Sequence, residues 1–409
     1  MNNNKYLVII GHPDRKSFCF NGIYKITFCI PSKDNLRYLK TCIPSIRKNA
    51  FRDDHDIIIF VDQDNDGTIE WIKEVHDKYN LRYLVNPKLN KERYGIGKAY
   101  DECIRAAKTD VVMVFHADMM LGKNADKLAF DLLEPKSAVS CTRVEPPLHP
   151  NNGEKIIRNF GIWPEEFVED GFDKFVEESV NVDKVTFGIF APWMVFKEEF
   201  LDIGGHDPIL KSCREDSDVF NRMMVKGFKF KQPWNSLVYH LTGRGAGSFS
   251  GDEERHKTWQ KEMEDSTKEF IRKWGTGVQH DALMTPIVTP FYNKGLVLKN
   301  ATLEKLQLLE PYVSTVYTDK HRSEYVEQEQ SNTAYPLQTK IKAFTKSPNN
   351  DIILFIDGDK FTQADFNIYA QLSRVFEEQK PQEGTFKLGN IQIKVNKYEE
   401  KIFNRVHPQ

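Results

Sequence analysis

Short runs of apolar, often β-branched residues alternate with amphipathic stretches between residues 25 and 143. This alternation is typical of a parallel sheet whose strands are joined by helical crossovers. Pro31 is expected to end the first strand, because proline cannot donate a hydrogen bond to a sheet. The predicted strands are 25–30, 56–61, 81–85 and 111–115, with helices between them. The pattern therefore predicts an α/β fold.

The remaining chain has a different pattern. Residues 146–181 are rich in Pro, Gly, Asn and acidic residues and predict a long irregular excursion. After it we expect a helix near 215–226, a strand at 236–239 and a surface helix over 252–273. A smaller α/β unit should come next, with strands at 286–291, 313–317 and 352–356 and a helix at 303–309.

These elements predict three regions along the chain, with a boundary near Gly275. Residues 1–24 are interpreted as an N-terminal extension, residues 25–275 as the main domain and residues 276–409 as the smaller α/β domain. A chain of 409 residues is long enough for two such domains.

Charge excludes some classes of partner. Lys and Arg number 57 and Asp and Glu 59, so the near-neutral chain offers no general attraction for nucleic acid. An anionic ligand must then be held locally. The sequence shows no signal peptide and no apolar run long enough to span a bilayer. We expect a cytoplasmic protein and leave peripheral contact with a membrane open.

Candidate functional side chains lie just beyond the ends of predicted strands. Pro31, Asp62 and Asp118 each come directly after such an end, where ligands of open α/β sheets bind, so they should share one cleft. Asp118, with His116 two residues before it, offers a carboxylate and an imidazole to a divalent cation. Carboxylates at 215, 216 and 218 predict either a general base or an ordinary capped helix start.

Several segments resemble a known family when they are taken in order. They are Phe28 to Ser32, Ile59 to Asp62 with Asp66-Gly67-Thr68, Lys98-Ala99, Phe115-His116-Ala117-Asp118, Phe200 to Gly205, Glu215-Asp216 and Val238-Tyr239-His240. Together they are similar to family 2 glycosyltransferases over about residues 25–247. The resemblance implies a GT-A fold, which is a Rossmann-like mixed sheet flanked by helices.

The resemblance also implies an activity. It implies a hexosyltransferase that uses a nucleotide-sugar as donor, and UDP- and GDP-sugars are the most expected donors. The sugar would be transferred to a hydroxyl of a glycan, lipid-linked glycan or protein, as in polysaccharide biosynthesis. The cofactor would be Mn²⁺ or Mg²⁺ and the displacement inverting. Two alternatives stay open: a nucleotidyltransferase, and a non-catalytic nucleotide-sugar binding protein on the same fold.

The resemblance also implies a role for each residue of this sequence that matches a functional position of the family. The expected donor-binding residues are Pro31, Ser32, Asp62, Lys98, His116, Ala117, Asp118 and Arg244. His116 replaces the first Asp of the DXD motif, so Asp118 remains as the carboxylate ligand of the metal and His240 is the second ligand. Asp216 is the expected catalytic base, with Glu215 on the acceptor side. Trp193 is either an acceptor platform or a core residue.

The smaller unit has less specific features. Its segment Asp351 to Asp359 resembles Asp110 to Asp118 in the main domain, and Asp357-Gly358-Asp359 is a second D-x-D sequence. No partner residues for a metal or a phosphatase nucleophile are identified. The unit is interpreted either as a degenerate transferase-like domain or as a structural or acceptor-recognition module.

Overall fold

The computed structural model describes residues 24–242 and 253–400, together with the backbone of two short strands before residue 24. The described residues form two compact units. One lies within Met1–Lys211, Val219–Gln260 and His280–Pro286, and the other within Ser212–Asp218, Lys261–Gln279 and Ile287–Gln409. Each unit thus draws on separate segments of chain, and a single boundary near Gly275 stays a prediction.

The first unit contains fourteen described strands and six helices that lie wholly within it. The strands are β1 (Val8–Ile9), β2 (Phe18–Cys19), β3 (Ile26–Lys33), β4 (Asp56–Gln63), β5 (Leu81–Val85), β6 (Val111–Val114), β7 (Met119–Leu121), β8 (Ser137–Ser140), β9 (Thr142–Glu145), β10 (Ile156–Ile157), β11 (Val185–Thr186), β12 (Trp193–Phe196), β13 (Lys229–Pro233) and β14 (Leu237–His240). The helices are α1 (Leu36–Asn49), α2 (Thr68–Tyr79), α3 (Ile96–Ala106), α4 (Ala125–Phe130), α5 (Glu169–Ser179) and α6 (Lys197–Asp202). Two more, α7 (Glu215–Val225) and α8 (Glu253–Trp274), have residues in both units.

The main sheet has the order β11-β13-β8-β12-β6-β3-β4-β5. Strands β6, β3, β4 and β5 are parallel, and β12 is antiparallel to β6. A second sheet, β10-β9-β14-β7, places β14 parallel to β9 and antiparallel to β7. The predicted α/β architecture, a mixed sheet flanked by helices, is confirmed.

Burial explains why these segments form strands and helices. Residues 57–59, three consecutive isoleucines of β4, are completely buried, as expected for a strand covered on both faces. In α1, Leu39, Ile43 and Ile46 lie on one face and are also fully buried. These contacts hold the strand ends in fixed positions.

The prediction that Pro31 ends the first strand is wrong, because β3 continues to Lys33. Strand β6 pairs with β3 only as far as Cys29, whose carbonyl accepts a hydrogen bond from the Phe115 N–H. Residues two apart point to the same side of a strand, so the nitrogen of Pro31 faces the open edge beyond β6. Its missing N–H therefore costs no ladder hydrogen bond.

The excursion over residues 146–181 is less irregular than predicted. It contains β10, a 3₁₀ turn at Pro164–Glu166 and the helix α5. Its aromatic side chains pack around Tyr239, whose ring lies 5.3 Å from that of Phe167 and 5.6 Å from that of Phe160. The Tyr239 hydroxyl also accepts a hydrogen bond from Phe160 N at 3.0 Å. The excursion is thereby fixed to the strand that ends at His240.

The second unit contains one six-stranded sheet in the order β17-β16-β15-β18-β20-β19. Its first four strands are parallel to one another. The fifth strand in this order is antiparallel to the fourth, and the sixth is antiparallel to the fifth. Its strands are β15 (Lys294–Lys299), β16 (Thr315–Thr318), β17 (Ile341–Ala343), β18 (Ile352–Asp357), β19 (Gly384–Leu388) and β20 (Ile391–Val395). Its helices are α9 (Leu303–Leu309), α10 (Arg322–Glu329), α11 (Leu337–Lys340), α12 (Gln363–Ala370) and α13 (Leu372–Gln379).

The strand predicted at 286–291 is wrong. Isolated bridge residues, Pro286 opposite His280 and also Phe291, occur there instead of a strand, and the strand that follows is β15. Pro286 and Pro290 cannot donate to a ladder, which disfavours a central strand at this position. Separately, none of the helices described in residues 24–242 and 253–400 has the length and apolar character needed to cross a bilayer.

Candidate metal and nucleotide site

Three side chains with metal-ligand chemistry meet at the carboxyl ends of β6 and β14. One ligand atom each from His116, Asp118 and His240 lies within 4.8 Å of the others. The His240 Nε2 atom is 3.6 Å from Asp118 Oδ1, and the two imidazole rings are 5.7 Å apart, edge to face. The predicted proximity of Asp118 and His240 is therefore observed, and His116 joins them.

Strand pairing brings these distant residues together. β7 begins directly after Asp118 and pairs antiparallel with β14, so Met119 lies opposite His240. The Leu241 N–H also donates a hydrogen bond to the Asp118 carbonyl at 3.1 Å, which connects the start of β7 to the end of β14. Because side chains alternate along a strand, Tyr239 and His240 point to opposite faces. Tyr239 thus contacts the excursion while His240 faces Asp118.

A carboxylate that the sequence analysis missed completes the cluster. Glu145, the last residue of β9, accepts from His240 Nδ1 at 2.9 Å and is 1% exposed. Arg143 Nη1 and Lys155 Nζ each lie 2.8 Å from the same carboxylate. The two prolines after Glu145 made this segment resemble a loop, and only the strand register reveals the contact.

The carboxylates of Asp118 and Glu145 act on the His240 ring that lies between them. Burial lowers the pKa of His240, but Asp118 and Glu145 more than offset this and raise it to about 9. Burial raises the pKa of Asp118, yet His240 brings the pKa down to about 2. Burial lowers the pKa of His116 to about 4, so this imidazole is neutral at pH 7. A neutral imidazole is the form that binds a metal.

Asp62 lies at the end of β4 and is 3% exposed. Its carboxylate accepts from the Tyr94 N–H at 2.7 Å and from Asn86 Nδ2 at 2.9 Å. It therefore braces the loop that leads into α3. Lys98, in the first turn of that helix, has its ammonium 4.4 Å from the centre of the Tyr94 ring. The predicted donor residues Asp62 and Lys98 are thus connected through one loop.

The end of β3 carries buried polar atoms without protein partners. The Ser32 hydroxyl and the Asn35 side-chain carbonyl oxygen have no hydrogen-bond partner among the described residues, although Ser32 is 1% and Asn35 7% exposed. Buried polar atoms are normally hydrogen-bonded, so such atoms indicate a position where a ligand or water completes the bonding. Pro31, in the same stretch, is half-buried.

Other predicted site residues have different outcomes. The interpretation of Trp193 as an acceptor platform is wrong: its ring is 1% exposed and packs against Phe200 and Phe220. Ala117, between His116 and Asp118 in the sequence, is buried. Asp216 and Glu215 form the first turn of α7, in a segment of the second unit, and their roles stay predictions. Arg244 lies outside the described residues.

Comparison with known proteins decides the family of the site-bearing segment. Residues 27–201 match the model of glycosyl transferase family 2. This segment is similar to the glycosyl transferases of family 2. It includes Asp62, His116 and Asp118, whereas His240 lies beyond the match. No curated protein sequence matches the chain.

Two solved structures are similar to the chain. One is GalNAc-T7 with UDP, GalNAc and Mn²⁺, at 13% identity and a TM-score of 0.45, covering 63% of this chain and 50% of that one. The other is TarS of S. aureus, at 10% identity and a TM-score of 0.40, covering 61% of this chain and 44% of that one. The chain thus spans half or less of the length of each.

Proposed function

We propose that this protein is a metal-dependent glycosyltransferase that moves a sugar from a nucleoside diphosphate sugar to an acceptor hydroxyl. The observation that carries the proposal is the cluster of His116, Asp118 and His240, of which the first two lie in the segment that matches family 2. Glycosyl transfer leaves negative charge on the departing diphosphate, and a divalent cation at this position would neutralise it.

The ligand types favour Mn²⁺ over Mg²⁺. Mg²⁺ takes almost exclusively oxygen ligands, whereas this cluster offers two imidazoles and one carboxylate. The three residues leave further coordination positions for phosphate oxygens. His116, Asp118 and His240 would therefore hold Mn²⁺, a wider set than the Asp118 and His240 expected from the sequence.

The surrounding charges suit an anionic donor. Asp118, Glu145 and Glu154 oppose the two cations Arg143 and Lys155, so the cluster has one net negative charge when both imidazoles are neutral. A divalent cation changes this to one net positive charge, which attracts a diphosphate. The unpartnered oxygens of Ser32 and Asn35 would bond the nucleoside.

Asp216 is proposed as the general base from the family resemblance of the sequence alone. It would take the proton of the acceptor hydroxyl as that oxygen attacks the anomeric carbon, while the bond from this carbon to the diphosphate oxygen breaks. Attack opposite the leaving group inverts the anomeric centre. Asp216 is half-buried at the start of α7, and its carboxylate accepts the Ser217 N–H at 2.6 Å.

A donor screen tests this proposal. The purified chain is mixed with UDP-, GDP-, CMP- and dTDP-sugars, with and without Mn²⁺, and both the unfolding midpoint and nucleotide release are measured. We expect one UDP- or GDP-sugar to raise the midpoint only with Mn²⁺ and to release nucleoside diphosphate. Pyrophosphate release from a nucleoside triphosphate would instead identify a nucleotidyltransferase, and stabilisation without turnover a binding protein.

A further inference from the structure

Glu145 lies on the far side of the His240 ring from Asp118. The two nitrogens of this ring face different carboxylates: Nε2 is 3.6 Å from Asp118 Oδ1, and Nδ1 is 2.9 Å from Glu145 Oε1. The parallel register pairs Val144 with Tyr239, so Glu145 and His240 are the next residues along β9 and β14. The contact is therefore a consequence of the sheet itself.

Both oxygens of the Glu145 carboxylate are fixed by other groups. Arg143 Nη1 lies 2.8 Å from Oε1, and Lys155 Nζ lies 2.8 Å from Oε2. The Glu145 backbone carbonyl also accepts the Arg158 N–H at 2.9 Å, where β10 pairs with β9. A buried carboxylate that is paired at both oxygens and attached to a hydrogen-bonded backbone has little freedom to rotate, so it presents a constant acceptor to His240.

We propose that Glu145 is a positioning residue that fixes the tautomer and the ring orientation of His240. A cation bound at Nε2 would displace the proton there, which leaves a neutral ring with a single proton, and a carboxylate at Nδ1 selects the form protonated at that nitrogen. The Nε2 lone pair then points towards Asp118, where the cation would bind. Such carboxylate partners of metal-binding histidines typically contribute 10- to 100-fold to metal affinity. This inference rests on the metal site of the proposed function.

Glu154 provides a matched control. Its carboxylate also lies near Lys155, with Oε1 3.8 Å from Nζ, and it is 7% exposed. It has no described contact with His240. Substitution of either glutamate by glutamine removes one negative charge from the same group of ions, but only one of the two changes the partner of the His240 ring.

The experiment measures Mn²⁺ affinity without any donor, from the electron paramagnetic resonance signal of free Mn²⁺. We expect Glu145→Gln to weaken binding about 10- to 100-fold. Glu154→Gln should change it by no more than about twofold, because the Glu154 carboxylate lies 3.8 Å from Lys155 Nζ and has no described contact with His240. Equal affinity of Glu145→Gln and wild type, or an equal loss in both variants, would overturn the assignment.

A spectroscopic measurement covers the case in which Glu145→Gln does not fold. Nuclear magnetic resonance spectra of wild-type protein with ¹⁵N-labelled histidine and diamagnetic Zn²⁺ should show that His240 is protonated at Nδ1. The His240 signals are assigned as those that are absent from the spectrum of His240→Gln. Protonation at Nε2 would refute the role of Glu145. If the wild type binds no divalent cation, the proposed function fails as well, whereas normal wild-type binding with an unaffected Glu145→Gln removes only the present inference.

Discussion

The two units share the order of their parallel strands but differ in the side chains beyond the carboxyl ends of those strands. In the first, β5-β4-β3-β6 continues into the antiparallel β12, and in the second, β17-β16-β15-β18 continues into the antiparallel β20. The central strands β3 and β15 are each the first parallel strand of their unit. This common order is frequent among α/β folds, so both interpretations of the second unit, a degenerate transferase-like domain and a structural or acceptor-recognition module, stay predictions.

The chemistry at these strand ends separates the two units. In the first unit the sequence after β6 is His116-Ala117-Asp118, and the pairing of β7 with β14 adds His240. β18 ends at Asp357, the first residue of Asp357-Gly358-Asp359, and the Asp357 carboxylate accepts from Asn300 Nδ2 at 2.9 Å and from Asp359 N at 3.2 Å. Within the described residues, only the first unit brings three potential ligands together. A shared strand order therefore does not imply a shared site.

The largest expected difference between the units is in activity. Asp118→Asn should lower kcat/KM for sugar transfer by about 10²- to 10³-fold, because it removes the anionic ligand from the metal cluster. The corresponding change in the second unit, Asp359→Asn, should leave the rate within about twofold, since an exposed carboxylate without a ligand cluster contributes little. Comparable losses in both variants, measured as nucleoside diphosphate release, would contradict a metal site in the first unit alone.

The next effect concerns packing at the second strand end. A methyl group on Gly358 would overlap the backbone carbonyl oxygen of Asn300, whereas Ala117 occupies the corresponding position in the first unit. Gly358→Ala should therefore destabilise the second unit by about 1–3 kcal/mol. Gly277→Ala, where a methyl group meets no atom within 4 Å, is the control in the same unit. Thermal unfolding of both variants measures the loss of stability. Equal unfolding midpoints would show that the strand end of the second unit has room for a methyl group at residue 358.

The smallest effect concerns the first residue of each central strand. β3 begins with the buried Ile26, whereas β15 begins with Lys294, which is 1% exposed and donates to Ser373 Oγ at 2.8 Å. Burial lowers the pKa of Lys294 to about 7. Between that pH and the usual lysine pKa only the unfolded chain holds this proton, so stability should rise with pH from about 7 to 10.

Lys294→Met should remove that rise. We expect the variant to be more stable than wild type at pH 7 by about 1–2 kcal/mol, with the difference shrinking towards pH 10. Urea unfolding across this pH range gives the difference directly. A difference that stays constant with pH would mean that Lys294 is charged throughout and is solvated or paired in the folded protein.

Much of the fold could be predicted because hydrophobic periodicity is local. β5 and α9 have the predicted bounds, and β18 differs by one residue. The helix α5 was missed because Gly171 and several acidic residues surround its two buried apolar positions, Phe172 and Val176. The short strands β7 to β11 were missed as well, since two to four residues show no periodicity.

The candidate site could be predicted in part. Asp118 and His240 were recognised through family resemblance, and their approach depends on the β7 and β14 pairing that the structure shows. Glu145 could not be found, because its contact with His240 depends on the register between β9 and β14. Trp193 was ambiguous in the sequence, since a tryptophan in an apolar run suits a core and a sugar platform equally.

The central claim is that His116, Asp118 and His240 hold a divalent cation against the donor diphosphate. The most direct test is a crystal structure grown with Mn²⁺ and a nucleoside diphosphate, with anomalous data collected at the manganese edge. The account predicts one strong anomalous peak about 2.0–2.3 Å from an Asp118 carboxylate oxygen and His240 Nε2, and in contact with phosphate oxygens. A nucleotide bound at β3 and β4 without a peak beside Asp118, or a peak at another set of residues, would contradict it.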